Sequence, residues 1–154
     1  MKYVIRNATP ADGEIIASFN SLMAEETEGH PLDPDIIGPG VSALLNDANK
    51  GRYWVAEANG ELIGQIMVTY EWSDWRNGMI WWIQSVFVQP DYRRVGVFSA
   101  LYHHVESIAR EDDACGLRLY VEHNNEHAQE TYKALGMVNP NYQVMETIFG
   151  DSKC

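Results

Sequence analysis

An apolar run, Val86-Phe87-Val88, passes through Gln89-Pro90-Asp91-Tyr92 into Arg93-Arg94-Val95-Gly96. Val97-Phe98-Ser99-Ala100-Leu101 then starts an amphipathic stretch. That order sets two guanidinium groups and a glycine beside the first-turn N–H groups of a helix, Val95 to Ser99, which all point one way. Glycine lets the chain turn tightly and approach a ligand closely. Arginine adds charge-assisted bonds to phosphate oxygens. The chemistry is anion capture, and a strand leading to a helix N-terminus suits a pyrophosphate on a long, thin tail. In isolation, R-R-x-G is better explained by a capped helix with two solvated arginines. The proline, the tyrosine and the preceding strand favour the ligand site.

A second group lies downstream. Asn125, Ala128 and Tyr132 fall at helical spacing, so a small residue leaves room between an amide and a phenol on one face. A phenol there can act as a proton donor. The plainer alternative is a capping asparagine with a core tyrosine. A third group is Glu71-Trp72-Ser73-Asp74-Trp75-Arg76, followed by Trp81 and Trp82. Aromatic faces near carboxylates suit an organic cation, although the same rings could fill a core or an interface. Strand alternation sets Trp82 and Gln84 on one face and Trp81 and Ser85 on the other. His123 and His127 straddle the expected helix start without an H-E-x-x-H pattern, so no metal is expected.

These groups need elements to hold them. Tyr3–Asn7 alternates as a short strand. Thr9-Pro10-Ala11-Asp12 carries an N-cap, a first-turn proline and a capping acid. Ile15, Ile16, Phe19, Leu22 and Met23 continue that helix to about Glu25. Residues 25–34 read as a polar loop. Asp33-Pro34 could open a second helix, interrupted at Gly38-Pro39-Gly40 and resumed over Val41–Asn46. Asn59-Gly60 joins two apolar-rich runs as a hairpin. Residues 71–78 form a loop before a strand at Met79–Val88. Val97, Leu101, His104, Val105 and Ile108 share one helix face. Leu117–Val121 is a strand, Asn125 opens a helix closed by Gly136, and Tyr142–Phe149 is a last strand. The result is a mixed sheet with helices packed on it.

The chain has 154 residues, 45% hydrophobic and 21% charged, which fits one soluble domain spanning residues 1–154. No apolar run is long enough to cross a bilayer and the N-terminus lacks a signal-peptide core, so a cytoplasmic location without membrane contact is expected. Cys115 and Cys154 make no disulfide or zinc framework and read as reduced thiols. The net charge of −11 argues against a nucleic-acid partner and suits a cationic small substrate. No Walker loop, GxSxG elbow or GxGxxG fingerprint is present.

The strand followed by R93-R94-V95-G96-V97, with V121-E122-H123-N124-N125-E126-H127-A128 and then Y132…G136-M137 downstream, resembles the GNAT superfamily of acetyl-CoA-dependent N-acetyltransferases. The element order extends the resemblance over most of the chain. It implies an α/β (α+β) fold: a mixed, mostly antiparallel central sheet with helices on both faces. It implies acetyl-CoA as donor, with the backbone of Val86, Phe87 and Val88 along its pantetheine arm. Arg93, Arg94, Val95, Gly96, Val97, Phe98 and Ser99 would hold the pyrophosphate. Asn125 would contact the cofactor arm, and Tyr132 would protonate the leaving thiolate after direct attack by a neutral amine. A homodimer is implied by analogy alone.

Two positions depart from the family. Phe98 stands where a small residue is usual, and Gln84 stands where some members carry a glutamate base. A glutamine cannot take the amine's proton. Glu26, Glu28, Glu71, Asp74 or a water held by Gln84 and Ser85 must serve instead, with the water route ranked first. Expected acceptor contacts are Glu26, Glu28, Trp72, Asp74, Trp75 and Trp82, and the aromatic, acidic loop is similar to that of diamine acetyltransferases. The implied activity is acetyl transfer to a small-molecule primary amine. Peptide or protein acetylation, a non-catalytic acyl-CoA-binding module and a structural dimerisation domain are the alternatives.

Overall fold

The computed structural model describes residues 1–150; Cys154 lies outside the described residues. The chain forms two compact units, Met1–Tyr120 and the stretch from Val121 onward. In the first unit the elements are β1 (Val4–Asn7), α1 (Gly13–Glu28), α2 (Pro34–Leu45), β2 (Arg52–Ala58), β3 (Glu61–Ser73), β4 (Gly78–Val88), α3 (Val97–Glu111) and β5 (Gly116–Leu119). The second unit holds α4 (Glu126–Ala134). No helix of the described residues is long and apolar enough to cross a membrane.

The sheet order is β1-β2-β3-β4-β5, with β1 to β4 antiparallel neighbours and β5 parallel to β4. Asn59 and Gly60 both take positive φ, 54° and 77°, as a two-residue hairpin of the primed kind requires. Helices cover both faces. On one face Ile16 and Phe19 of α1 and Val41 of α2 meet Tyr53, Val55 and Phe87. On the other, Trp54 stacks on Trp81 and meets the edge of His104 from α3. Gly64 lies under Leu101 of α3, where an added Cβ would sit 3.0 Å from the Phe87 carbonyl.

The register of β3 and β4 breaks once. Met67 pairs with Ser85 and Val68 with Ile83, so Gln84 is an extra residue on β4. Such a bulge resets the alternation of everything beyond it. Phe87 and Ser85 face α1, where Phe87 packs on Phe19 and Ser85 meets Tyr53. Counting back across the bulge, Trp82 shares that face, while Trp81 and Ile83 face α3. The expected pairing of Trp81 with Ser85 on one face is therefore corrected.

Four other expectations are corrected. α2 runs unbroken through Gly38-Pro39-Gly40. Asp33 caps it, accepting from the Asp35 amide at 2.9 Å, and Ile37, Val41, Leu44 and Leu45 bury its inner side, which offsets one lost ladder bond at Pro39. α1 continues to Glu28 and stops at Gly29, φ 84°. Glu71, Trp72 and Ser73 belong to β3, leaving only residues 74–77 as a turn. Residues 142–149 form no strand. Alternation needs a ladder partner, and the second unit contains no other strand among its described residues.

Candidate active site

β4 pairs with β5 over only four residues, Ile80 to Ile83, and then runs on to Val88. Among the described residues no strand pairs with its β5-facing edge from Gln84 onward, which suits pairing with another extended chain. This free edge leads through a short 3-10 turn, Pro90–Tyr92, into the arginine-glycine loop. Arg94 takes φ 65°, a conformation that costs a side-chain-bearing residue about 1–2 kcal/mol. Gly96 follows at φ 92° and serves as the N-cap of α3. The first ladder bond runs from the Ala100 amide to the Gly96 carbonyl at 3.0 Å, so the Val97 and Ser99 amides precede the ladder. Val97 is buried and pins the helix start, while Val95 and Gly96 are exposed and Phe98 and Ser99 half-buried.

The two arginines differ. Arg93 folds back: its Nε donates to the Val88 carbonyl at 2.7 Å, its Nη2 reaches both Glu26 oxygens at 2.9 and 3.1 Å, and its guanidinium lies over the Phe87 ring. It therefore braces the end of α1 against the end of β4. Arg94 is exposed and has no ion pair among the described residues. Glu28 is also exposed, at the last turn of α1.

Beside the free edge, on the α1/α2 face, lies a polar and aromatic floor. Thr69 is opposite Trp82, and Gln84 Nε2 donates to Thr69 Oγ1 at 2.9 Å. Trp82 donates through Nε1 to Glu71 Oε1 at 2.9 Å, and Arg118 donates to Glu71 Oε2 at 3.0 Å. The Trp82 ring lies 4.7 Å from that of Tyr120. Behind Ser85 a buried chain runs inward: Gln65 Nε2 donates to Asn20 Oδ1 and Asn20 Nδ2 to the Tyr53 hydroxyl, each at 3.0 Å. Burial pushes the Tyr53 phenol up in pKa, partly offset by Asn20 and Ser85. Ser85 Oγ is buried beside this chain with no aligned hydrogen bond among the described residues. The reverse orientation of the two amides would bury an unmatched NH2 where Gln65 Oε1 now sits, a costlier orphan.

The structure thus gathers Gln84, Ser85 and Trp82 of the expected groups, and sets Trp72, Asp74 and Trp75 apart from them. Trp72 alternates to the face opposite Glu71 and Trp82. Asp74 and Trp75 are exposed at the hairpin turn, on the order of 20 Å along β4 from the bulge, so one small molecule cannot touch both. Arg118 and Tyr120 were not anticipated. The lone charge in Leu117-Arg118-Leu119 was their one visible signal. Tyr53, Asn20 and Gln65 carried none, because their partners lie 33 and 45 residues away.

In the second unit Asn125 caps α4, its Oδ1 accepting from the Ala128 amide at 3.0 Å. Tyr132 is half-buried on α4, and burial pushes its phenol pKa up. His123 precedes the helix and His127 lies within it.

A family model described as the acetyltransferase (GNAT) family matches residues 15–137. Thialysine N-epsilon-acetyltransferase of Bos taurus is 32% identical over 87 residues, 53% of this chain and 51% of that protein. The match thus spans about half the length of this curated relative. The crystal structure of a possible acetyltransferase from Clostridium difficile 630 superposes with a TM-score of 0.91 at 45% identity, covering 97% of this chain and 99% of that one. A ribosomal-protein-alanine N-acetyltransferase from Brucella melitensis biovar Abortus 2308 shares the fold alone, with a TM-score of 0.79 at 16% identity and coverage of 97% and 100%.

Proposed function

The chain belongs to the GNAT acetyltransferase family, and from that premise we propose that it transfers an acetyl group from acetyl-CoA to a primary amine of a small metabolite. One observation carries this reading: the unpaired edge of β4 leads through a short turn into an exposed loop, Arg94 to Gly96, beside the start of α3, where the Val97 and Ser99 amides precede the helix ladder. A Cβ built on Gly96 would meet nothing within 4 Å, so the loop fronts open space. These residues fit a pyrophosphate on an extended arm. The amides from Arg94 to Ser99 would hold the diphosphate, with the Arg94 guanidinium beside them. The backbone of Val86 to Val88 would align the arm. Acetyl-CoA, when bound, supplies an activated acetyl thioester.

An ammonium must lose a proton before it can attack. Both oxygens of Glu71 are held by Trp82 and Arg118, and Glu26 is held by Arg93. Glu28 and Asp74 are exposed. This supports the water route. Gln84 donates to Thr69 through its nitrogen, which leaves its Oε1 to accept from the amine or from a water. Asn125 and Tyr132 enter on the family resemblance: Asn125 as a contact to the cofactor arm, Tyr132 as the proton donor. The raised Tyr132 pKa keeps its proton in place at neutral pH. The lysine-like amino acid named for the bovine relative is the first acceptor to test. A cytoplasmic homodimer with no nucleic-acid or membrane partner completes the reading.

Calorimetry with CoA and a thiol-release assay across an amine panel test it. Expected are saturable CoA binding and turnover with at least one small primary amine. CoA binding without release from any amine would favour the acyl-CoA-binding module, and turnover confined to peptides would favour the protein acetyltransferase. Tyr132→Phe should lower kcat about 100-fold or more with CoA affinity unchanged. An unchanged kcat at every pH would remove Tyr132 from the chemistry.

A further inference from the structure

Among the described residues Arg118 is the one cation on the aromatic floor. We propose that Arg118, oriented by Glu71 and walled by Trp82 and Tyr120, binds a carboxylate on the acceptor, so that the preferred substrate is a free amino acid whose side chain ends in a primary amine. The inference rests on acetyl transfer occurring near Gln84 and Ser85.

Glu71 is locked from both sides, with Oε1 accepting from Trp82 and Oε2 from Arg118. Only Nη1 of Arg118 is engaged among the described residues. The Nη2 and Nε donors of a rigid guanidinium fork are left, which suits a planar carboxylate. The Arg118 side chain is 33% exposed, open enough to reach and covered enough to escape full solvent screening. Trp82 and Tyr120, with ring centroids 4.7 Å apart, offer an apolar wall for an aliphatic stem.

The spacing fixes the size. Arg118 is level with Trp82 in the β4–β5 register, and Ser85 lies three residues further along β4, one of them the bulge. That is about 7–10 Å. A straight side chain of four carbon or sulfur atoms followed by a nitrogen sets its amine about 8 Å from its carboxylate, over six zigzag bonds of near 1.5 Å. A diamine of the same length has no carboxylate to accept from the remaining Arg118 donors. A lysine inside a peptide has no free carboxylate to offer.

The test compares four acceptors in the thiol-release assay: lysine or thialysine, the corresponding methyl ester, 1,5-diaminopentane, and a peptide with an internal lysine. The wild-type protein should favour the free amino acids over the other three by at least about tenfold in kcat/KM, a margin within reach of one charge-assisted carboxylate contact. Arg118→Gln should raise KM for the amino acids about tenfold or more, leave kcat and CoA affinity near their starting values, and narrow or reverse the margin over the diamine. Equal or better use of the ester, diamine or peptide by the wild type overturns the carboxylate subsite while leaving acetyl transfer standing. The wild-type comparison decides the matter even if the variant does not fold. Failure of every amine to release thiol overturns the acetyl-transfer reading as well.

Discussion

Replacing Gly96 separates the backbone shape of the loop from the space in front of it. Its φ of 92° and ψ of 2° lie in the left-handed region, and a Cβ there would strike nothing within 4 Å. Gly96→Ala therefore costs conformational strain and no clash, about 1–2 kcal/mol. At about 2–4 °C per kcal/mol for a chain of this size, the melting temperature should fall by about 2–8 °C. Asparagine tolerates this conformation better, so Gly96→Asn should melt within about 3 °C of the wild type. Yet its side chain enters the open space that a diphosphate would fill. If the amides there clasp a diphosphate, both variants should lose CoA affinity by about tenfold or more, equivalent to about 1.4 kcal/mol, the asparagine variant without a matching loss of stability. Calorimetric titration beside thermal melts reads both quantities. An asparagine variant that binds CoA within about twofold of the wild type, a change of about 0.4 kcal/mol, would refute the cradle.

Arg93→Ala removes the bond to the Val88 carbonyl and the Glu26 pair, and should cost about 1–2 kcal/mol of stability; Arg94→Ala should leave melting unchanged and weaken CoA binding, so the same pair of assays should sort the two arginines oppositely. Tyr53→Phe leaves the buried Asn20 amide without its acceptor, which should destabilise the fold by about 1–3 kcal/mol in denaturant melts. Asp12 is buried, and the Arg6 guanidinium, bonded at 2.8 and 3.0 Å, together with the Thr9 amide holds its carboxyl below the usual range. A folded pKa below the unfolded value of about 3.9 means that its contribution is full above about pH 5 and fades as pH falls through the folded value. Denaturant melts of Asp12→Asn should therefore show a constant deficit from pH 5 to 8 that shrinks below about pH 4; a deficit that grows on acidification would overturn this assignment.

What was legible in the sequence was what local chemistry determines. Asn59-Gly60 specifies its own turn, Thr9 to Asp12 its own capping acid, and Gly96 its own left-handed cap. α2 was misread at Gly38-Pro39-Gly40 because local propensity was weighed without the burial of Val41 and Leu44 that outweighs it. The bulge at Gln84 was invisible because alternation has a period of two and no residue marks where it slips. For Arg93, expected beside Arg94 at a phosphate, the bond to Glu26 was not legible because that partner lies 67 residues away. The same holds for the floor of the site: Trp82 could be named from sequence, while Arg118, which closes the Glu71 pair from another strand, could not.

The extra residue in β4 also bears on how this chain is lined up with other proteins. A strand of equal length with Gln84 paired in the ladder would turn Trp81 to the Ser85 face and Trp82 to the face of Trp54. A homologue shorter by that one residue keeps both side chains on their present faces but one position out of step, so a gapless alignment from Ser85 sets its counterpart of Trp81 against Trp82. Substrate assignments transferred by position across this segment thus depend on whether the kink is retained, which strand pairing reveals and percentage identity does not.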